Sequence, residues 1–293
     1  MPLQDTPVST TPPSTLEETG PGGIDALQAK AELEVMRQEL RWLLDESIPE
    51  SIQFIHSSLQ KLSFSSEQRR NPNTVLELTA TGSDAKGTAT ISGTSVTQLS
   101  LDLSLSSQFN QGKPTTVYLK KSETLPLRQA QEAKSYIKSA LHKTAGGRFD
   151  TVDEALNFFE YILDHVQTAR ATLAAGSQQG LQPLQWENTD KFAPQLPENL
   201  VIECALKGSV LVAHAYWLKF RRAVKSSGGL LDAFKKDPST GHMLVVNGRL
   251  AEVRREIVFE AAFALVQESL ATLDLVASVC TDVVGQLHSF DSM

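Results

Sequence analysis

Cysteine is nearly missing from this chain: only Cys204 and Cys280 occur in 293 residues, and both sit within apolar patterns. Two such thiols read as small core residues in a reducing compartment, which argues against a disulfide framework. No run of about eighteen uninterrupted apolar residues occurs, so no bilayer-spanning segment is expected. The N-terminus lacks a basic start followed by an apolar stretch, so no signal peptide is expected. Clustered positive charge is scarce as well. The formal net charge is -7 and the pI about 5.4, which disfavours a general nucleic-acid or anionic-membrane surface. Together these features point to a cytosolic protein.

Reactive constellations are equally sparse. Asp164-His165 reads as a charged pair on the wet side of an amphipathic helix. Cys204 and His214 make a poor metal site, which normally needs three or four convergent ligands. Ala145-Gly146-Gly147-Arg148 follows a helix and lacks the Lys-Ser/Thr of a phosphate loop, so it reads as a helix stop. No catalytic, cofactor-binding or metal-binding residues are assigned, and no cofactor is expected. One basic cluster stands out, Lys219, Arg221, Arg222 and Lys225. It reads as a helix C-terminus whose dipole favours cations, or else as a patch for an acidic partner or a lipid headgroup.

What the sequence does have is periodicity. Residues 1–23 are rich in Pro, Thr, Ser and Gly and are expected to be a disordered tail. Helical spacing then appears in Leu33, Met36, Leu40 and Leu43. Ser47-Ile48-Pro49-Glu50 reads as a fresh helix start, so a bend or break is expected near Ser47. Period two takes over from Thr74 to Lys120, clearest where Leu99, Leu101, Leu103 and Leu105 alternate with polar residues. Short links there imply an antiparallel meander. Helices are expected again from Pro126, from the capping box Thr151–Glu154, and over Leu200–Val224. The segment 176–197 reads as a loop packed by Trp186 and Phe192. Met243–Val246, Asn247-Gly248 and Arg249–Val253 make a hairpin with a type I′ turn, which is expected to join the sheet of residues 74–120.

The last long segment, Ile257–Leu287, carries one unbroken stripe: Phe259, Phe263, Val266, Leu270, Leu273, Ala277, Cys280, Val284 and Leu287. Steps of four and three mark a single helical face that must be covered. Apolar flanks such as Leu275 and Val276 favour a place inside a bundle. The expected fold is therefore α+β, an elongated antiparallel helical bundle with a small antiparallel β-sheet domain, both discontinuous in sequence. The bundle would take residues 24–66, 125–236 and 257–290, and the sheet residues 73–121 and 241–256.

Glu39-Leu40-Arg41-Trp42-Leu43-Leu44-Asp45-Glu46 and Lys191-Phe192-Ala193-Pro194-Gln195-Leu196-Pro197, with the helical–β–helical layout, resemble the Rogdi leucine-zipper family from about Glu34 onward. The likeness is to its fungal branch, the small subunit of the RAVE complex. Ala277 and Cys280 stand where a strict zipper carries leucines, which argues against homodimerisation through this helix. The resemblance implies a non-enzymatic adaptor or scaffold that promotes V-ATPase assembly, the joining of the soluble and membrane sectors of the vacuolar proton pump. Implied partners are a large WD40-propeller subunit, a Skp-type adaptor and the soluble sector of the pump. The implied location is cytoplasmic, with peripheral recruitment to vacuolar or endosomal membranes. The alternatives are a membrane-surface or other protein-interaction module, and an enzyme whose site is assembled from sequence-remote residues.

Overall fold

A computed structural model describes residues 21–62, 73–103, 115–175, 189–220, 243–246 and 249–290. The chain divides between Ile48 and Pro49 into two units. The first contains helix α1 (Pro21–Trp42) and a π-helical turn over Leu43–Ser47. The bend expected near Ser47 is thus a widened helical turn rather than a break. It leads into α2 (Ile48–Lys61), where Pro49 has no N–H to give to the preceding turn, and the widened turn falls just before it. Along α1, Leu27, Val35 and Trp42 are exposed, while Met36 and Leu40 are partly covered.

The second unit is built on an antiparallel sheet. Its strands are β1 (Asn73–Ala80), β2 (Lys86–Ser92), β3 (Ser95–Leu103), β4 (Thr115–Leu119) and β5 (Leu125–Pro126). Later come β6 (Phe192–Ala193), β7 (Leu200–Lys207), β8 (Val210–Phe220), β9 (Met243–Val246) and β10 (Arg249–Ala262). Three helices accompany them: α3 (Arg128–Lys143), α4 (Val152–Ala174) and α5 (Ala264–His288). Among the described residues the strand order is β6-β4-β3-β2-β1-β10-β8-β7, with β5 beside β3 and β9 beside β10. The class is α+β, as the patterns imply. An elongated helical bundle is not what organises it; the large curled sheet is.

Two helical expectations are corrected. Residues 200–220 form the hairpin β7–β8, closed where Lys207 pairs with Val210 across Gly208, whose φ of +58° suits a tight turn. Strands covered on both faces read as nearly continuous apolar runs, so their alternation is hidden. Here Leu200, Ile202, Cys204 and Leu206 are buried on one face, yet Val201 and Ala205 are buried on the other. The second correction concerns Ile257–Ala262, which is strand. Ile257, Phe259, Ala261 and Phe263 are all buried at every second position. A step of four, Phe259 to Phe263, satisfies both a helical and a strand period. The proposed division into helical and β domains fails for the same reason, since residues 200–220 and 257–262 belong to the sheet.

The hairpin of β9 and β10 has the expected register, Val246 opposite Arg249 and Leu250 opposite Val245. Its turn residues, Asn247 and Gly248, lie outside the described residues, as does Trp186. The hairpin joins the earlier strands as expected, through Thr79 opposite Glu260 and Ala80 opposite Phe259. Phe192, read as a loop residue, is fully buried in β6 against Leu119 of β4.

Helix α4 starts at Thr151, whose hydroxyl accepts the Glu154 N–H, while Glu154 reaches back to the Asp150 N–H. That is a capping box displaced by one residue. α4 packs against both α3 and α5. The buried row of α5 is Val266, Ser269, Leu273, Val276, Cys280, Val283 and Leu287. It shares Val266, Leu273, Cys280 and Leu287 with the sequence stripe, but Leu270, Ala277 and Val284 stand one position off and are only partly covered. Ser269 survives burial because its hydroxyl donates to the Leu265 carbonyl. Arg170 of α4 pairs with Asp274 of α5. By length and composition α5 passes as a membrane-crossing helix. One row of it is buried within the chain, and Arg170 ties it to α4.

Two outcomes follow. Leu273→Asp places an uncompensated charge in the fully buried row and costs about 4 kcal/mol or more, whereas Leu270→Asp costs about 1–2 kcal/mol; urea unfolding curves of the two variants measure the difference. Gly87→Ala forces a methyl to within 2.7 Å of the Ser100 carbonyl oxygen and of Leu101 Cδ2. It lowers the thermal midpoint, with a cost of about 1–3 kcal/mol typical of overpacking.

Candidate functional site

The strand pairing of β7, β8 and β10 collects ionisable side chains from three distant points of the sequence. Cross-strand partners share a face of the sheet. Glu203 lies opposite His214, and His214 opposite Val258; Val201 lies opposite Tyr216, and Tyr216 opposite Glu256. His214 and Glu256 are therefore diagonal neighbours, and His214 Nδ1 sits 2.6 Å from Glu256 Oε1. The His214 and Tyr216 rings stack with centroids 5.3 Å apart and planes 4° from parallel. Tyr216 is fully buried in a small second core with Val201, Leu218, Leu244, Val246 and Ala251.

Burial sets the electrostatics. It pushes the Glu203 carboxyl above its usual range, against the pull of the Arg128 guanidinium. It pushes the His214 imidazole below its usual value, although the hydrogen bond and charge of Glu256 favour the cation. It raises the Tyr216 phenol, with Glu256 and Glu203 adding to the effect. One oxygen of Glu203, Oε2, is buried without a hydrogen-bond partner among the described residues. Such a set of groups can hold and exchange a proton. Among the described residues no group of three His, Cys, Asp or Glu side chains is arranged to hold a metal ion.

The helix α3 positions the edge of this region. The Gln129 amide donates to the Leu206 carbonyl at 3.0 Å and accepts from the Leu206 N–H at 3.4 Å. It thereby covers one peptide of the outer strand β7 and blunts that edge.

Sequence reasoning missed the cluster because it placed residues 200–224 on a helix, where Glu203 and His214 would stand about three turns apart. The signal that finds it is Lys207-Gly208, a turn former in the middle of a β-branched and aromatic run. Lys219, read as helical, stands exposed on β8 with Glu252 as its cross-strand partner, and Glu252 forms an ion pair with Arg254 at 3.4 Å. Arg221, Arg222 and Lys225 lie outside the described residues. The stripe residues Phe259 and Phe263 sit in β10 and at the start of α5, both buried. Asp164-His165 is not an acid–base pair in geometry: His165 Nδ1 donates to the Tyr161 carbonyl at 2.9 Å, and its ring stacks on Tyr161.

The comparison with known families bears on the chain as a whole. The family model described as Rogdi leucine zipper containing protein matches residues 39–245, well over half the chain. The chain belongs to the Rogdi family. No curated protein matches it. The Rogdi match takes in α2–α4 and β1–β8, together with the Glu203 and His214 arms of the cluster. It stops inside β9, before Glu256 of β10 and all of α5. The stripe on α5 lies outside the matched residues.

Cys204 and Cys280 are both buried, and burial pushes each thiol up to about 12. A thiol in that state offers almost no thiolate at pH 8. Both are expected to resist iodoacetamide in the native protein and to react fully in denaturant, counted by mass spectrometry.

Proposed function

We propose that this Rogdi family protein is a non-enzymatic adaptor in a complex that promotes V-ATPase assembly. In this role it holds a large WD40-propeller subunit, a Skp-type adaptor and the soluble sector of the pump in one assembly. Membership of the Rogdi family over residues 39–245 is the observation that carries the reading. Joining two components on one scaffold converts their encounter into an effectively intramolecular step. Aromatic side chains are frequent anchors of such contacts. Trp42 of α1 is exposed, as are Leu27, Leu33 and Val35 on the same helix and Leu275 on α5. The proposed location is the cytoplasm, with peripheral recruitment to the vacuolar or endosomal surface.

Affinity purification of the tagged full chain from its native cells, with mass spectrometry, tests the proposal. The expected co-purifying proteins are a large WD40 protein and V-ATPase subunits. Recovery of neither removes it.

A further inference from the structure

The cluster on β7, β8 and β10 has a property separate from the adaptor reading. Among the described residues strand β7 is the outermost strand of its edge and pairs with β8 alone. The one carboxyl on it, Glu203, lies opposite His214. Among the described residues, Lys207 on β7, Tyr216 on β8, Glu256 and Glu260 on β10, and Arg128 on α3 act on this pair. Three carboxyls thus surround one imidazole, and the imidazole already bonds Glu256. An ionised Glu203 adds a third nearby negative charge to those of Glu256 and Glu260 and leaves its buried Oε2 with an unmet acceptor. Protonation removes the charge and turns the carboxyl into a donor.

We propose that Glu203, His214 and Glu256 form a proton-operated clasp, in which a proton on the buried Glu203 carboxyl lets it donate within the cluster and fastens edge strand β7 to β8. The two titrations have opposite signs. Glu203 is raised from 4.5 in the folded state. Its contribution is therefore fully present below that value and is lost as pH rises through the folded value. His214 is lowered from 6.5. Its contribution is present above that value and is lost as pH falls through the folded value. The clasp is tightest when Glu203 carries the proton and His214 is neutral. Further acidification charges the imidazole under the buried Tyr216 ring and loosens the small core that Tyr216 shares with β9 and β10.

Glu203→Gln copies the neutral carboxyl in shape and carries no charge. Urea unfolding of the full chain at pH 8 and at pH 5 is the test. The variant is expected to be more stable than the natural chain at pH 8, by about tenfold in the folding equilibrium constant for each unit by which Glu203 is raised. Most of that gain is expected to vanish at pH 5. His214→Gln is expected to lose less stability than the natural chain on acidification below pH 6. A Glu203→Gln variant that is unchanged at both pH values, or weakened equally at both, overturns the clasp. Should a variant not fold, carbon-13 NMR titration of the Glu203 carboxyl in the natural chain decides it. A midpoint above 4.5 supports the clasp, and one at or below 4.5 overturns it.

Discussion

The antiparallel embrace of β10 is the interaction on which the second unit depends. Phe259 of β10 is flanked across the sheet by Ala213 of β8 and Ala80 of β1, and Ala213 by Cys204 of β7. All four are buried, Phe259 and Ala213 completely. Small residues on both sides of a large ring let neighbouring strands close around it without a void. This row joins the meander of residues 73–119 to the hairpin of residues 200–220, two segments with a helical stretch of the chain between them. Without β10 the order β6-β4-β3-β2-β1 and the pair β8-β7 would be separate pieces.

The same strand explains why polar chemistry gathers where it does. Side chains alternate across a sheet, so the row that buries Phe259 forces Val258 and Glu260 to the opposite face. Glu256 follows on that face and meets Tyr216 and His214. The register shift between Val253 and Arg255 brings Arg255 opposite Trp217, and the guanidinium lies 5.7 Å from that ring's centroid. A bulge re-aims the side chains that follow it. The carboxylate–imidazole contact is thus a by-product of the register that fills the core.

Legibility in the sequence followed the strength of each local signal. Asn247-Gly248 between two apolar runs pointed to a hairpin, because that dipeptide favours a two-residue turn, and the strands on either side have the register it predicts. Thr151 and Glu154 marked the start of α4 because a cap has fixed spacing. The stripe of α5 was readable, though its true face is turned by one residue at three positions. Ser269 holds the buried place that the stripe assigns to Leu270, and its bond to the Leu265 carbonyl makes a serine acceptable there. The strands β7 and β8 were hidden for a different reason. Val201, Ala205, Val212, Tyr216 and Leu218 are apolar on the face that a simple sheet leaves wet. With both faces covered, period two disappears and a helical reading costs nothing. The Glu203–His214 pairing was lost with it, since their meeting depends on strand register alone.

The extent of the family match acquires meaning from this architecture. It ends at Val245, and Val245 is paired with Leu250 in the β9–β10 hairpin. A chain cut at that point would keep β1 and β8 but lose the strand that lies between them, and α4 would lose α5, the helix on one of its sides. An apolar face of that size does not stay exposed in water. The folded body therefore needs the segment from Arg249 to His288, which lies beyond the family match. A core helix accepts apolar side chains of several kinds so long as volume and polarity pattern are kept. Cys280 and Ala277, which no strict zipper would choose, fit that role: one fills a fully buried place and the other a half-covered one on a helix whose partner belongs to the same chain.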